Sequence, residues 1–116
     1  MKLKIYRIDD PIYGASLTLC VGDLKLFEKY LKKFDFYNQI ELSKTGIGKH
    51  IFLEGYNIIW IKKFNLGTLF HEISHMVFSV FNSRGIPIDI QNDEVFAYYV
   101  QMTTNNILRK FKVKTS

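Results

Sequence analysis

Two histidines four positions apart, His71 and His75, enclose a glutamate, Glu72, in the run FHEISHM at residues 70–76. On a helix, residues four apart lie one turn apart on the same face, so both imidazole rings can reach one metal ion. Glu72 follows the first histidine directly, and from there its carboxylate can take a proton from water without binding the metal itself. The spacing predicts a metal-assisted hydrolytic site with two histidine ligands and Glu72 as the general base.

The motif lies within a predicted helix. Apolar residues around it recur at intervals of three and four, the pattern of a helix with one buried face. They are Leu66, Leu69, Phe70, Ile73, Val77, Phe78 and Phe81. Asn65 and Thr68 both suit the N-cap, and we expect the helix to run to about Arg84, with Gly85 as its stop. The alternative interpretation is an ordinary half-buried helix on which the two histidines and the glutamate do no chemistry.

A third ligand is predicted on a second helix, which opens at Asn92 after a break in the apolar pattern. Glu94 follows His75 by nineteen positions, and a pair of antiparallel helices can bring its carboxylate level with the two histidines. Such a His2Glu set leaves one position open for water, as hydrolytic zinc sites do. Alternatively, Glu94 is only a helix N-terminal carboxylate favoured by the dipole, with Asn92 as cap. Asp89 and Asp93 are then the next candidates for the ligand.

With these residues the sequence resembles the gluzincin group of zinc metallopeptidases, in which a glutamate on the helix after the HExxH helix is the third ligand. Here that second helix reads NDEVFAY at residues 92–98. The resemblance covers the C-terminal half well, and more loosely the whole chain is similar to small single-domain members encoded by phages and prophages. It implies one zincin-like metallopeptidase domain over residues 1–116, one Zn2+ ion held by His71, His75 and Glu94, and hydrolysis of peptide or protein substrates.

The resemblance also bears on two neighbouring features. Gluzincins of the thermolysin type carry an Asp four residues after the third ligand that hydrogen-bonds a ligating histidine, and this chain has Tyr98 there. Tyr98 is a candidate for supporting a ligand or for stabilising an oxyanion, with simple packing as the alternative. The strand ahead of the HExxH helix borders the cleft in gluzincin-like folds, so the resemblance makes it the edge along which a peptide pairs. Its residues are Ile58, Ile59, Trp60 and Ile61.

Two residues near these elements are open to more than one interpretation, and a third has a predicted role in helix packing. Trp60 either lines a substrate pocket or lies in the core as a sheet aromatic. His50, the third histidine of the chain, has no partner at metal-ligand spacing and is interpreted as a strand residue, with oxyanion stabilisation as the alternative. Ala97 shares a helix face with Glu94, where a small side chain lets two helices approach closely.

The remaining patterns predict an α+β fold. Runs typical of strands lie at 2–8, 16–21, 50–53 and 58–61, the last two as a hairpin. A helix is predicted at 24–34, with Asp23 as its N-cap and four lysines on its solvent face. Residues 35–49 carry no clear pattern. We expect a small twisted sheet, made of the N-terminal strands and the hairpin, packed on the HExxH helix and a following C-terminal helix.

Composition limits the location and the partners. With 116 residues, 47% of them apolar, the chain can bury a core, which excludes a disordered class. A lone cysteine, Cys20, is interpreted as a buried reduced thiol, and no signal-peptide or transmembrane pattern is visible, so we expect a cytoplasmic protein, including the cytoplasm of a phage-infected bacterial host. The net charge of +5 permits acidic partners, but the basic residues are scattered and form no nucleic-acid-binding module.

Two competing functions remain open from the sequence. The first is a catalytically silent, zinc-stabilised protein-interaction module, for example a phage-encoded inhibitor of a host protein, which keeps the metal site without turnover. The second is a basic nucleic-acid binder, which ranks lowest. Its binding would depend on salt and would survive loss of the metal.

Overall fold

The computed structural model describes residues 2–10, 12–53 and 55–115. Within these residues four strands form one mixed sheet that packs against three helices, which confirms the predicted α+β class. The strands are β1 (Lys4–Ile8), β2 (Leu17–Val21), β3 (Gly48–Leu53) and β4 (Tyr56–Ile61). The helices are α1 (Leu24–Leu31), α2 (Leu66–Ser83) and α3 (Asp93–Thr115), with short 3-10 turns at Tyr37–Gln39 and Ile90–Asn92.

The strand order across the sheet is β1-β2-β4-β3. β2 and β4 run parallel, whereas β1 with β2 and β3 with β4 form antiparallel pairs. The prediction that Ile58, Ile59, Trp60 and Ile61 form a sheet edge is therefore wrong, because β4 is hydrogen-bonded on both sides. Each of these four side chains is at most 1% exposed, as expected of an interior strand that is buried on both faces. Among the described strands, the edge beside the HExxH helix is β3.

Alternate side chains of the sheet point into two separate cores, because neighbouring residues of a strand face opposite sides. Leu19 and Ile59 belong to the core shared with α2 and α3, whereas Cys20 and Ile58 belong to the core covered by α1. Cys20 is fully buried, and burial raises the pKa of its thiol to about 12. The prediction of a buried, unpaired thiol is confirmed.

Trp60 lies in the core under α1, on the opposite side of the sheet from α2. Its ring stacks on Phe27, with the ring centroids 5.6 Å apart. Its Nε1–H donates to the backbone carbonyl of Gly22 at 2.8 Å, which satisfies the polar atom that the indole buries. The interpretation of Trp60 as a core aromatic is confirmed, and its interpretation as the wall of a substrate pocket is wrong.

Helix α2 begins and ends where the sequence predicts. The Asn65 side chain accepts a hydrogen bond from the N–H of Thr68 at 3.0 Å, which caps the first turn. At the other end Gly85 adopts a φ of 68°, and the N–H of Ile86 donates to the carbonyl of Phe81 at 2.9 Å. This is the glycine-terminated ending that releases the chain from a helix.

The other two helices begin differently from α2. Asp23 stands at the N-cap of α1, but its side chain makes no capping hydrogen bond, and the helix ends at Leu31 rather than at residue 34. Ahead of α3 there is a cap that the sequence did not predict, Asp89 at the start of the 3-10 turn. Its carboxylate accepts hydrogen bonds from the N–H groups of Gln91 and Asn92 at 3.0 and 3.1 Å. Asp89 therefore caps the 3-10 turn that leads into α3, and the role of Asn92 as the cap of α3 itself stays a prediction.

Polar contacts attach the loop between β1 and β2 to the helices α2 and α3. Asp10 accepts hydrogen bonds from the N–H groups of Ile12 and Tyr13 at 2.8 and 3.1 Å, and the hydroxyl of Tyr99 on α3 donates to its other oxygen. Arg84, at the end of α2, donates to the carbonyl of Tyr13 at 2.6 Å. One carboxylate therefore links the loop to α3.

Replacing Tyr99 by Phe should lower the free energy of unfolding by about 1.5–3 kcal/mol, because a hydrogen bond to a carboxylate is lost while the ring remains. Tyr98→Phe, at a side chain that is 66% exposed, is the matched control and should change the stability by less than about 0.5 kcal/mol. Urea unfolding at neutral pH measures both values. Equal stability of wild type and Tyr99→Phe would contradict the role given to this hydroxyl.

The same pair of proteins also gives a pH dependence. Burial, together with the neighbouring Asp10, raises the pKa of Tyr99 above its ordinary value of 10.0. The unfolded chain then ionises first, so the stability that Tyr99 contributes is present below pH 10 and is lost as the pH rises above it. The difference in stability between wild type and Tyr99→Phe should therefore narrow above pH 10.

Candidate metal centre

Helix α2 presents both histidines of the motif to solvent on one face. His71 and His75 are exposed, their ring centroids lie 4.8 Å apart, and their Nε2 atoms lie 3.2 Å apart. Two nitrogen ligands at about 2.0–2.1 Å from a tetrahedral zinc ion would be separated by about 3.3–3.4 Å. The two rings therefore converge to the spacing that a shared metal ion requires.

Glu72 lies on the neighbouring, buried side of α2. It is 6% exposed, in contrast to the two histidines that flank it. Burial raises the pKa of its carboxyl group, while the charges of His71, His75 and Lys49 act in the opposite direction. A raised pKa brings a carboxylate closer to the range in which it both accepts and releases a proton near neutral pH.

Gly48, at the start of β3, makes room for the Glu72 carboxylate. A Cβ on Gly48 would stand 3.0 Å from Oε2 of Glu72, 2.9 Å from Cγ2 of Thr68 and 3.3 Å from the carbonyl oxygen of Trp60. The contact with Cγ2 of Thr68 is closer than side chains normally tolerate, the other two are tight, and the carbonyl oxygen is held in β4. Glycine therefore allows α2 to approach the edge strand with a carboxylate between them.

A cleft of about 450 Å³ opens between β3 and α2. It is lined by Gly48, Lys49, His50, His71, Glu72, His75, Phe78 and Ser79. All three histidines of the chain therefore meet in one place. One wall of the cleft is an edge strand, whose outward N–H and C=O groups are available to an extended peptide.

His50 lies in a strand, as the sequence predicts, and it also lines this cleft, which its spacing did not indicate. Its Nε2–H donates to Oδ1 of Asn57 across the hairpin at 3.1 Å, and Asn57 is only 2% exposed. Burial lowers the pKa of His50, so the ring is neutral at neutral pH. A usable signal was the alternation of β3, since His50 and Gly48 share the strand face that points towards α2.

Glu94, the predicted third ligand, is exposed in the first turn of α3. It does not line the cleft, and no three His, Cys, Asp or Glu side chains of the described residues are grouped closely enough to hold a metal ion. Asp93 and Asp89 are exposed as well, and Asp89 is engaged in capping. The structure thus brings the three HExxH side chains together, and the third ligand stays a prediction.

Helix α3 lies alongside α2 near the histidines. The rings of Phe96 and Phe78 are 5.3 Å apart, so the first turns of α3 contact α2 about one turn beyond His75. Ala97 lines a groove between the two helices, where a small residue is predicted. Tyr98 is 66% exposed and does not line the cleft, so its roles as support for a ligand or as an oxyanion stabiliser stay predictions.

Comparisons with known proteins leave the site to be interpreted from its own residues. No protein family, curated protein or solved structure matches this chain. In the part of the chain that the structure describes, no helix is both long enough and apolar enough to cross a membrane. Function is therefore inferred from the cleft between β3 and α2.

Gly48→Ala should lower the free energy of unfolding by about 1–3 kcal/mol, because an added methyl group forces Thr68 and Glu72 away from β3. Gly46→Ala is the matched control, since the nearest atom to a Cβ there is 3.4 Å away, and it should cost little. Urea unfolding of both variants measures the difference. If Gly48→Ala is as stable as Gly46→Ala, the close approach of α2 to β3 is not as described.

Proposed function

We propose that the protein is a zinc-dependent peptidase of the gluzincin type, built as a minimal zincin-like domain over residues 1–116. The observation that carries this proposal is the pair of histidine Nε2 atoms 3.2 Å apart beside the buried carboxylate of Glu72. A helix with a purely structural role gains nothing from burying a carboxylate under two imidazoles, since burial of an ionisable group costs free energy. Perturbed carboxylates in clefts are characteristic of catalytic sites.

The donor set supports zinc as the metal. His71 and His75 supply imidazole nitrogens, which zinc binds readily. We assign the third position to Glu94, as the resemblance implies, because it lies in the first turn of the helix that follows the HExxH helix. When bound, zinc supplies Lewis acidity to a water molecule and to a substrate carbonyl.

Glu72 is the proton carrier of the proposed reaction. Its carboxylate accepts a proton from the attacking water and then, as a carboxylic acid, donates it to the amine that leaves when the peptide C–N bond breaks. The burial that raises its pKa suits this double use, because the protonated form becomes easier to reach. Glu72 needs no contact with the metal to do this.

The edge strand β3 is the proposed binding surface for an extended substrate. It is the outermost strand beside α2 in the described sheet, and Gly48, Lys49 and His50 place it in the wall of the cleft. Main-chain hydrogen bonds to this edge would align a peptide next to the HExxH residues. The proposed substrate-binding edge is therefore β3, which lies between β4 and solvent, and not β4 as predicted from the sequence.

The competing function, a zinc-stabilised interaction module without turnover, shares the metal site. Zinc content alone does not separate the two functions, since both bind the ion. Turnover does: an unbiased peptide library incubated with zinc-loaded protein and analysed by mass spectrometry reports new termini only if peptide bonds are cleaved. Stoichiometric zinc without any cleavage would favour the interaction module.

Glu72→Gln should retain zinc and fold, yet lose about 10²–10⁴-fold in the rate of peptide hydrolysis, because the proton acceptor is removed and both metal ligands remain. Glu41→Gln, at an exposed position, is the matched control and should keep the wild-type rate. Cleavage of the library with zinc content measured alongside is the assay. Undiminished hydrolysis by Glu72→Gln would remove this residue from the mechanism.

Glu94→Ala should weaken zinc binding and reduce the stabilisation that zinc gives to the fold, because metal affinity is linked to folding. Asp93→Ala is the matched control: it removes a carboxylate from the same first turn of α3, where the helix-dipole effect is about 0.3–1 kcal/mol. Titration of zinc against a chelator, with His75→Ala as the reference for a lost ligand, compares them. Full zinc affinity in Glu94→Ala would refute the assignment, and a loss confined to Asp93→Ala would transfer it to Asp93.

A further inference from the structure

A second cavity, of about 530 Å³, lies at the ends of the two parallel strands. Lys62 and Lys63 follow β4 directly, and Asp23 lies just beyond the end of β2. All three line the cavity, together with Lys2, Ile47 and Thr68. None of these residues is used by the proposed reaction.

This cavity and the histidine cleft are neighbours, because residues adjacent in the chain or one helical turn apart line both. On the strand side, Ile47 lines the cavity and the next residue, Gly48, lines the cleft. On the helix side, Thr68 lines the cavity and Glu72, one turn later, lines the cleft. A Cβ on Gly48 would lie within 3.0 Å of both Thr68 and Glu72, so the close contact at this glycine lies between the cavity and the cleft.

A peptide that runs along β3 beside Glu72 and continues past Gly48 would reach the end of the sheet, where the cavity lies. Successive residues of an extended chain advance by about 3.3 Å, so a short step along the strand is enough. Lys62 and Ile47 are already joined by a backbone hydrogen bond of 2.9 Å, from the N–H of Lys62 to the carbonyl of Ile47. This bond holds Lys62 beside Ile47 in the lining of the cavity.

The charged residues that line the cavity indicate which kind of chemical group it binds. Lys2, Lys62 and Lys63 are exposed cations, and Asp23 is the one acidic residue among the described lining residues. The electrostatic potential in the cavity is therefore positive. Ile47, which is 60% exposed, adds an apolar wall. Such a site attracts a carboxylate carried on an aliphatic stem and disfavours a basic side chain.

We propose that this cavity is a substrate subsite that binds a carboxylate of the peptide, on an acidic side chain or at its carboxyl terminus. The inference rests on the proposed peptidase function for its meaning, because it names the substrate class of that cleft. The subsite makes the enzyme selective for acidic peptides. The preference is electrostatic, so it weakens as the ionic strength rises.

The test measures binding separately from cleavage. Three fluorescently labelled, alanine-rich peptides are titrated against zinc-loaded Glu72→Gln protein, and binding is followed by anisotropy. One carries a Glu and one an isosteric Gln, both with an amidated carboxyl terminus. The third carries the Gln and has a free carboxyl terminus. The carboxylate peptides should bind about three- to tenfold more tightly than the amidated Gln peptide. The Glu and free-terminus arms show which carboxylate the cavity takes.

Charge reversal locates the effect. The preference should vanish or invert when Lys62→Glu and Lys63→Glu are combined. It should persist when Lys25→Glu and Lys29→Glu are combined. This control pair changes the net charge by the same amount, but on the exposed side of α1. Equal binding of all three peptides, or a preference untouched by the change at 62 and 63, would overturn the inference.

Cleavage of the same peptides by the wild type distinguishes this inference from the proposed function. Hydrolysis without any preference for a carboxylate would overturn the subsite and leave the peptidase intact. A carboxylate preference in binding with no hydrolysis of any peptide would refute the peptidase, and the cavity would stand as the carboxylate-binding site of an interaction module.

Discussion

The contact between α2 and the edge strand at Gly48 is the constraint on which the rest of the site depends. Without a Cβ at this position, the helix comes close enough for Oε2 of Glu72 to lie against the strand. Burial of that carboxylate turns the neighbouring face of α2, with His71 and His75, towards the cleft. The cost of burying an ionisable group is offset by the apolar residues on the other side of α2, which join the core with β2 and β4.

The elements that sequence reasoning placed well are those whose signals are local. The ends of α2 follow from Asn65 and Gly85, and each acts through a hydrogen bond or a backbone angle within one turn. The order of the strands is not local. The apolar run of β4 is compatible with two positions, an edge strand that a substrate covers and an interior strand. Only the parallel pairing of β4 with β2, which α1 and β3 separate from it in the sequence, decides between them. His50 enters the cleft through that same arrangement.

The position of Glu94 shows a different limit. Sequence spacing placed the start of α3 correctly to within a residue, but the rotation of a helix about its axis is set by its tertiary contacts. Phe96 against Phe78 and Tyr99 against Asp10 fix that rotation. Their partners lie far away in the sequence, so a ligand spacing counted along the chain gives the level of a side chain on the helix and not its direction.

These contacts also indicate how a metal ion would act on the fold. The two histidines proposed as ligands belong to α2, which is anchored to the sheet, whereas the proposed third ligand belongs to α3, which meets α2 along a groove of about 490 Å³. A metal ion bound by both helices would cross-link them. Since binding free energy adds to the state that binds, zinc would stabilise the interface between α2 and α3 more than the sheet.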